Sequence, residues 1–313
     1  MLVTQQLNEL AKLALIASDA SYFSSQFPAP DFLSPLRDTP SYDILPSYSI
    51  QPGFTKIREF SNPLDGFKFV MFKNTQTNEV IVAFGGTDGL DTVDWTSNTQ
   101  LGWNQWEENR ATAFASLREF VDPSTKVHFT GQSMGGALAQ YAAYEWVQTK
   151  LTVTDSNDPE FLADFDKSNV SLTTFNALGG LKGLVDNLPT TGVQHTAYDP
   201  MVLQGLGLSG HFYVTNDLVS RFGGGHVGGD TFLLDFKSDN INPVTGQPYA
   251  YGMVDAHRIE TGFYANLRPG ALLEFQVSPG TSPIAYLNVD SMQEYATLFK
   301  AEAHGLVESC LES

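Results

Sequence analysis

The sequence predicts an α/β architecture: one domain on a mostly parallel sheet, flanked by helices on both faces. Three observations carry that prediction. Short β-rich runs recur at residues 80–84, 126–130, 170–176 and 211–215. Helical patterning fills the intervals at 110–121 and from 134 to about 149. The run Val80-Ile81-Val82-Ala83-Phe84 is uninterrupted and apolar, as a central strand buried on both faces must be. At 313 residues the chain is long enough for one large core.

The elements follow in order. Residues 1–60 read as an N-terminal helix and an irregular covering segment. The helix presents Leu7, Leu10, Ala14 and Ala17 on one face. The covering segment carries Pro28, Pro30, Pro35, Pro40, Pro46 and Pro52. A hairpin is expected next, with arms 67–73 and 80–84 around the polar turn 74–78. The second arm runs into Gly85-Gly86-Thr87-Asp88, and a polar, Trp-bearing stretch continues to about residue 108. The helix at 110–121 leads to a short strand, a Gly-rich turn and the long helix that begins near Met134. A polar surface excursion at 149–169 precedes the strand ended by Ala177-Leu178-Gly179-Gly180. The strand at 211–215 is followed by Asn216-Asp217, and 232–236 reads as one more strand.

Charge and composition exclude several classes of function. With 17 Lys and Arg against 35 Asp and Glu, the net charge is −18, which repels phosphate backbones. No nucleic-acid partner is therefore expected, and contact with a zwitterionic lipid surface is favoured over an anionic one. The single Cys310 excludes an internal disulfide and any Cys-rich metal site. No apolar run reaches the roughly 18–20 residues of a membrane-crossing helix. Glu9 and Lys12 interrupt the N-terminal apolar stretch, so a Sec-type signal is not expected. The localisation expected is secretion by another route, or else the cytoplasm.

The chemistry-bearing motif is Gly131-Gln132-Ser133-Met134-Gly135. It satisfies G-x-S-x-G between a β run and a helix, the context of a nucleophile elbow. Gly131 and Gly135 remove side chains that would collide in so sharp a turn. Gly136 and Ala137 let the helix lie close to the sheet, and its N-terminus directs N–H groups at a developing oxyanion. On this motif alone, an ordinary Gly-rich β–α turn remains open.

A second set of residues narrows the choice. The chain has Phe84-Gly85-Gly86-Thr87, then Asp94-Trp95 and Asn98, then Thr130–Ala139 around the serine. In that pattern it resembles the class 3 lipase family over about residues 65–265, and its α/β-hydrolase-type sheet. The segment Val254–Tyr264 looks most like the bacterial phospholipase A1 members. The chain departs from the family in Gln132, where His is usual, in Met134, where Leu is usual, and in Gly85, where Arg is usual. The resemblance implies that the backbone N–H groups of Thr87 and Met134 form the oxyanion hole, with the Thr87 hydroxyl placed to assist.

A serine nucleophile needs an imidazole base oriented by a carboxylate, in the chain order Ser, Asp or Glu, His. Asp217 ends a strand, where sites form on open α/β sheets. It also matches the family's Asn-x-Asp-hydrophobic-Val segment. Asp199 is the rival, although Asp before Pro200 is a common turn start. Among the histidines after the serine, His211 opens a strand and reads as structural. His226 matches the family's non-catalytic His-x-Gly turn. His257 matches the late catalytic segment, and His304 is the fallback.

The resemblance thus implies a triad of Ser133, Asp217 and His257, an acyl-enzyme intermediate and no metal or other cofactor. Gly223–Asp230 superficially resembles a calcium-binding repeat, in one imperfect copy. The expected substrate is a lipid ester met at a membrane or micelle surface. Phospholipase A1 is preferred, with triacylglycerol lipase and short-chain esterase as alternatives. The apolar segment 178–188 and the Gly-rich run 201–210 are candidate acyl-pocket walls. The Trp-bearing stretch 87–108, with Leu90, Val93, Trp95, Leu101, Trp103 and Trp106, reads as a mobile cover. A hydrolase fold without activity, used as a binding module, is the reading from another class.

Overall fold

The computed structural model describes residues 53–86, 101–188, 197–214, 217, 219–234 and 275–277, together with Ala14, Ala17, Ser18, Ser21 and His257. Among the described residues, eight strands form one sheet in simple chain order. They are β1 (Phe54–Ser61), β2 (Lys68–Asn74), β3 (Glu79–Phe84), β4 (Lys126–Gln132), β5 (Val170–Phe175), β6 (Gly210–Val214), β7 (Asp230–Leu234) and β8 (Phe275–Val277). Strands β3 to β7 run parallel, while β1, β2 and β8 add antiparallel edges. The expected mostly parallel sheet is present. The main helices are α1 (Trp103–Arg118), α2 (Met134–Thr152) and the short α3 (Leu181–Asn187).

The hairpin forms as its sequence requires. Asn74 Oδ1 accepts the N–H groups of Gln76 (2.9 Å) and Thr77 (3.2 Å), and Asn78 takes the positive φ of 52°. Asn is one of the few side chains that tolerate that conformation. From this turn the register pairs Phe72 with Ile81 and Phe69 with Phe84.

Side chains of β2 and β3 alternate between two cores, as the strand period dictates. Phe69, Met71, Val80, Val82 and Phe84 face the main core with α1 and α2. Val70, Phe72, Ile81 and Ala83 face the other side, where Ala17 packs on them. Thr130 Oγ1 donates to the Ala14 carbonyl oxygen at 3.2 Å on that same side. Ala14, Ala17, Ser18 and Ser21 are helical and buried, spaced as one helix face. The expected N-terminal helix is therefore present at these positions; Leu7 and Leu10 lie outside the described residues.

Two elements differ from expectation. Residues 54–61, read as the end of the covering segment and its surroundings, form the edge strand β1, paired along β2. Helix α1 begins at Trp103, not near residue 110. Its first half is rich in polar residues, which hides the helical period. Two of those polar residues bond within the fold: Gln105 donates to the Asp65 carbonyl oxygen, and Asn109 donates to that of Gln105.

The early start of α1 corrects the reading of its tryptophans. Trp103 and Trp106 are core residues, not part of a cover. Trp106 packs edge-on against Phe84 and Phe114 (ring centroids 6.0 and 5.3 Å), and Trp103 against Tyr141 at 5.1 Å. Trp106 Nε1–H donates to Glu145 Oε1 at 2.9 Å, while Arg110 pairs with Glu145 Oε2 at 3.1 Å. This buried carboxylate ties α1 to α2 and gives the buried indole N–H the acceptor it needs. Leu101 is buried as well. Leu90, Val93 and Trp95 lie outside the described residues.

Candidate active site

Ser133 connects β4 to α2 with φ 57° and ψ −129°. That region is sparsely populated for any residue with a Cβ, and occupying it costs on the order of 1–3 kcal/mol. The surroundings enforce it. Ser133 N–H donates to the Phe175 carbonyl oxygen at 3.2 Å, and the Ser133 carbonyl oxygen accepts from Gly136 (3.1 Å) and Leu178 (3.0 Å). The turn is thus stitched to the end of β5 on both its polar groups.

Packing against backbone requires each flanking glycine. A Cβ on Gly131 would lie 2.2 Å from the Gly135 carbonyl oxygen. One on Gly135 would lie 2.3 Å from the Phe84 carbonyl oxygen, and one on Gly136 would meet the Ala177 Cβ at 2.2 Å. The elbow therefore sits directly on the end of β3. Ser133 occupies the N-cap position of α2, yet its side chain makes no capping hydrogen bond. Its hydroxyl is not consumed by the helix, and the first N–H groups of α2 lack a side-chain acceptor from the cap. Met134 opens the helix and is buried. Thr87, the other expected oxyanion donor, lies outside the described residues.

The expected acid, Asp217, and the expected base, His257, meet beside the strand ends. Asp217 follows β6, and its N–H donates to the Val214 carbonyl oxygen at 3.0 Å. Oδ1 accepts from Val219 N–H (3.2 Å), and Oδ2 accepts from Ser220 N–H (3.2 Å) and from the Ser220 hydroxyl. These donors hold the carboxylate in one orientation and compensate its burial. His257 Nδ1 lies 2.9 Å from Asp217 Oδ1, with both side chains buried. With Nδ1–H donating to the carboxylate, Nε2 carries the lone pair and can act as a base. The structure thus brings together the expected acid and base.

The competing candidates are accounted for otherwise. Asp199 is exposed and caps a 3-10 turn, Pro200–Leu203, by accepting from Met201 N–H at 2.9 Å. His211 is buried, with Nδ1 2.8 Å from Thr174 Oγ1 and Nε2 3.0 Å from the Val227 carbonyl oxygen. Burial lowers its pKa to about 4. His226 stacks on His211 at 4.7 Å, and burial, then the neighbouring His211, hold it well below the usual imidazole range. His195 and His304 lie outside the described residues.

In the Gly-rich run 223–229, Gly223 is explained by backbone packing. Gly223 has φ 91°, and a Cβ there would lie 1.9 Å from the Gly179 carbonyl oxygen. The carbonyl oxygens of Phe222, Gly225 and Gly223 accept from Gly179, Leu181 and Lys182 (2.8, 3.0 and 2.9 Å), bracing the start of α3. Among the described residues, no three His, Cys, Asp or Glu side chains converge as a metal site would need. Of the segment 178–188, Leu178, Leu184 and Leu188 belong to the main core.

Sequence reasoning missed three residues at this site: Gln132, Asn176 and Ser220. Gln132 was visible only as a motif position that departs from the family's usual His. Asn176 gave the one usable signal, an amide residue closing a strand. Its φ of 43° falls where Asn is tolerated.

Residues 57–164, about a third of the chain, match the family described as Mbeg1-like. No curated protein matches the chain. Several solved structures resemble it at low identity. A Rhizomucor miehei lipase propeptide complex is 16% identical, covering 74% of this chain and 68% of its own, with a TM-score of 0.45. A lipase from Rhizopus microsporus var. chinensis is 16% identical, covering 73% of this chain and 74% of its own, with a TM-score of 0.46. Lipase II from Rhizopus niveus is 15% identical, covering 75% of this chain and 82% of its own, with a TM-score of 0.43.

Proposed function

We propose that this chain is a serine carboxylester hydrolase that works through an acyl-enzyme. The observation that carries the reading is the strained backbone of Ser133 (φ 57°, ψ −129°) at a strand-to-helix turn. A strained residue persists only where its surroundings over-determine it, and such residues cluster at functional sites. Here the serine side chain stays out of the helix cap at the carboxyl ends of the parallel strands, where Asp217 follows β6 and Gln132 and Asn176 meet the His257 carbonyl oxygen.

In this reading Ser133 Oγ attacks the ester carbonyl while His257 Nε2 takes the hydroxyl proton. Asp217 keeps the imidazole in the tautomer with Nδ1 protonated and stabilises the imidazolium that forms. The N–H groups of Met134 and Thr87 receive the developing oxyanion. His257 then returns its proton to the leaving alcohol oxygen. Water, deprotonated by the same imidazole, attacks the acyl-serine, and the imidazolium protonates the departing Ser133 Oγ as the acid is released.

The substrate class rests on the resemblance of the 254–264 segment to bacterial phospholipases A1: a long-chain glycerophospholipid, cut at its sn-1 ester. The excess of acidic residues supports a zwitterionic surface. A fluorophosphonate probe tests the mechanism: wild type labels, and Ser133→Ala does not. Equal labelling of the two overturns it. A mixed-chain phosphatidylcholine tests the substrate, with the sn-1 acid expected first. Release of the sn-2 acid, or turnover of a triglyceride alone, overturns the phospholipase A1 assignment.

A further inference from the structure

We infer that Gln132 and Asn176 are positioning residues, holding the base of the proposed site through its main chain. The inference rests on the hydrolase reading given above and concerns how His257 is aimed.

The His257 carbonyl oxygen accepts two side-chain amides. One is Gln132 Nε2, from a residue 125 positions away. The other is Asn176 Nδ2, at 3.2 Å and 81 positions away. Both donors sit at carboxyl ends of neighbouring parallel strands. Gln132 is the last residue of β4 and pairs with Phe175, the last of β5, and Asn176 follows directly. Gln132 also immediately precedes Ser133, so nucleophile and base share one rigid strand end.

Asn176 makes a second link. Its Oδ1 accepts from Val214 N–H at 2.9 Å, and its own N–H donates to the Phe212 carbonyl oxygen at 2.8 Å. The Val214 carbonyl oxygen in turn accepts from Asp217 N–H at 3.0 Å. The backbones of the base and the acid are therefore both referenced to Asn176. The ends of β4, β5 and β6 form one hydrogen-bonded frame, and the His257–Asp217 pair closes it. All four of Gln132, Asn176, Asp217 and His257 are buried, where such bonds are strong and their loss is expensive.

The physical role follows from lever geometry. Asp217 fixes the imidazole by its Nδ1 end. The two amides fix the Cα from which the ring hangs. With both ends held, Nε2 has one position relative to Ser133. A base displaced by about 1 Å loses on the order of 10²-fold in rate.

The test uses the full chain, a p-nitrophenyl ester and a fluorophosphonate probe that counts functional serines. Gln132→Met keeps the length of the side chain and removes its donors. Asn176→Asp keeps an acceptor for Val214 N–H and removes the donor to His257. Each variant is expected to lose about 10- to 100-fold in kcat per labelled site. KM should stay within about twofold, since substrate contacts are not altered. Turnover per labelled site at the wild-type value overturns the inference. So does a loss confined to the number of labelled sites, which marks a structural role. If Gln132→Met does not fold, Asn176→Asp decides alone. Failure of wild type to label at Ser133 removes the hydrolase reading itself, a result distinct from both.

Discussion

The elbow at Ser133 and the limb that carries Asp217 and His257 are built by different physics. The elbow is a backbone construction. Its shape is set over a few residues by three glycines, each facing atoms about 2.2–2.3 Å from where a Cβ would be. The limb is a side-chain construction. Its contacts bridge 40, 81 and 125 residues, and every one of them is a polar bond in a buried place. The elbow should thus be sensitive to added volume, and the limb to lost donors, acceptors and charge.

The largest expected effect falls on the limb. Asp217→Asn keeps the volume but disturbs the imidazole tautomer, and kcat should drop by roughly 10³–10⁴-fold. The carboxamide oxygen can still accept from the Ser220 N–H and hydroxyl, while its NH2 takes the position that faces His257 and Val219, so the loss should fall on the imidazole more than on the fold. A rate within about tenfold of wild type would mean that Asp217 does not orient the base.

The elbow should break in the opposite manner. Gly135→Ala adds one methyl, 2.3 Å from the Phe84 carbonyl oxygen and 2.8 Å from the Gly85 carbonyl carbon. Neither neighbour is the end of a flexible side chain, so β3 and α2 must separate. Thermal unfolding and probe labelling should fall together, with destabilisation of about 1–3 kcal/mol from overpacking. An unchanged melting temperature would show that the two backbones can part freely.

Acid should act on the strands that feed both regions. His211 is buried on β6, His226 stacks on it with both ring nitrogens buried, and His128 is buried on β4, the strand that ends at the elbow. Their folded pKa values are lowered, to about 4 for His128 and His211. In the unfolded chain they titrate near 6.5. Below that pH the unfolded state binds protons that the folded state refuses, so stability falls as pH drops from about 6.5 toward 4. Well above that value these groups contribute no slope. His226 makes no hydrogen bond through either ring nitrogen among the described residues. His226→Phe keeps the stack on His211 and removes one titrating group. Urea unfolding at pH 7 and pH 5 should therefore differ less in the variant than in wild type; equal differences would place the proton uptake elsewhere.

The same contrast explains what the sequence made legible. The elbow could be read because its cause is local: glycines at fixed offsets from a serine, between a β run and a helix. The parallel strands were legible for a similar reason, since Val80–Phe84 is apolar at every position. Asp217 and His257 needed a family resemblance, because nothing near His257 in the chain says that it meets a residue 40 positions earlier. Gln132 stood out only as a departure from the family's usual His, and Asn176 only as an amide closing a strand; neither feature says what it holds. Their role depends on two strand ends lying side by side, which is a property of the sheet. The start of α1 was missed because Gln105 and Asn109 look solvent-exposed in sequence, while in the fold they bond to Asp65 and to the helix itself.

The smallest expected effect isolates the strain that defines the elbow. Ser133→Ala and Ser133→Gly both remove the proposed nucleophile, so activity does not separate them. Alanine must still hold φ 57° and ψ −129° with a Cβ, whereas glycine can take that conformation without the steric penalty. Relief of about 1–3 kcal/mol of strain is offset by roughly 0.5–1 kcal/mol of extra chain entropy lost on folding. Ser133→Gly should therefore exceed Ser133→Ala by about 1 kcal/mol in urea unfolding at neutral pH, where the buried histidines add little slope. Equal stability, or a less stable glycine variant, would mean that the turn is unstrained in solution. A more stable glycine variant means that this chain keeps a less stable turn in order to expose a serine, which a binding module with no use for the hydroxyl has no physical reason to do.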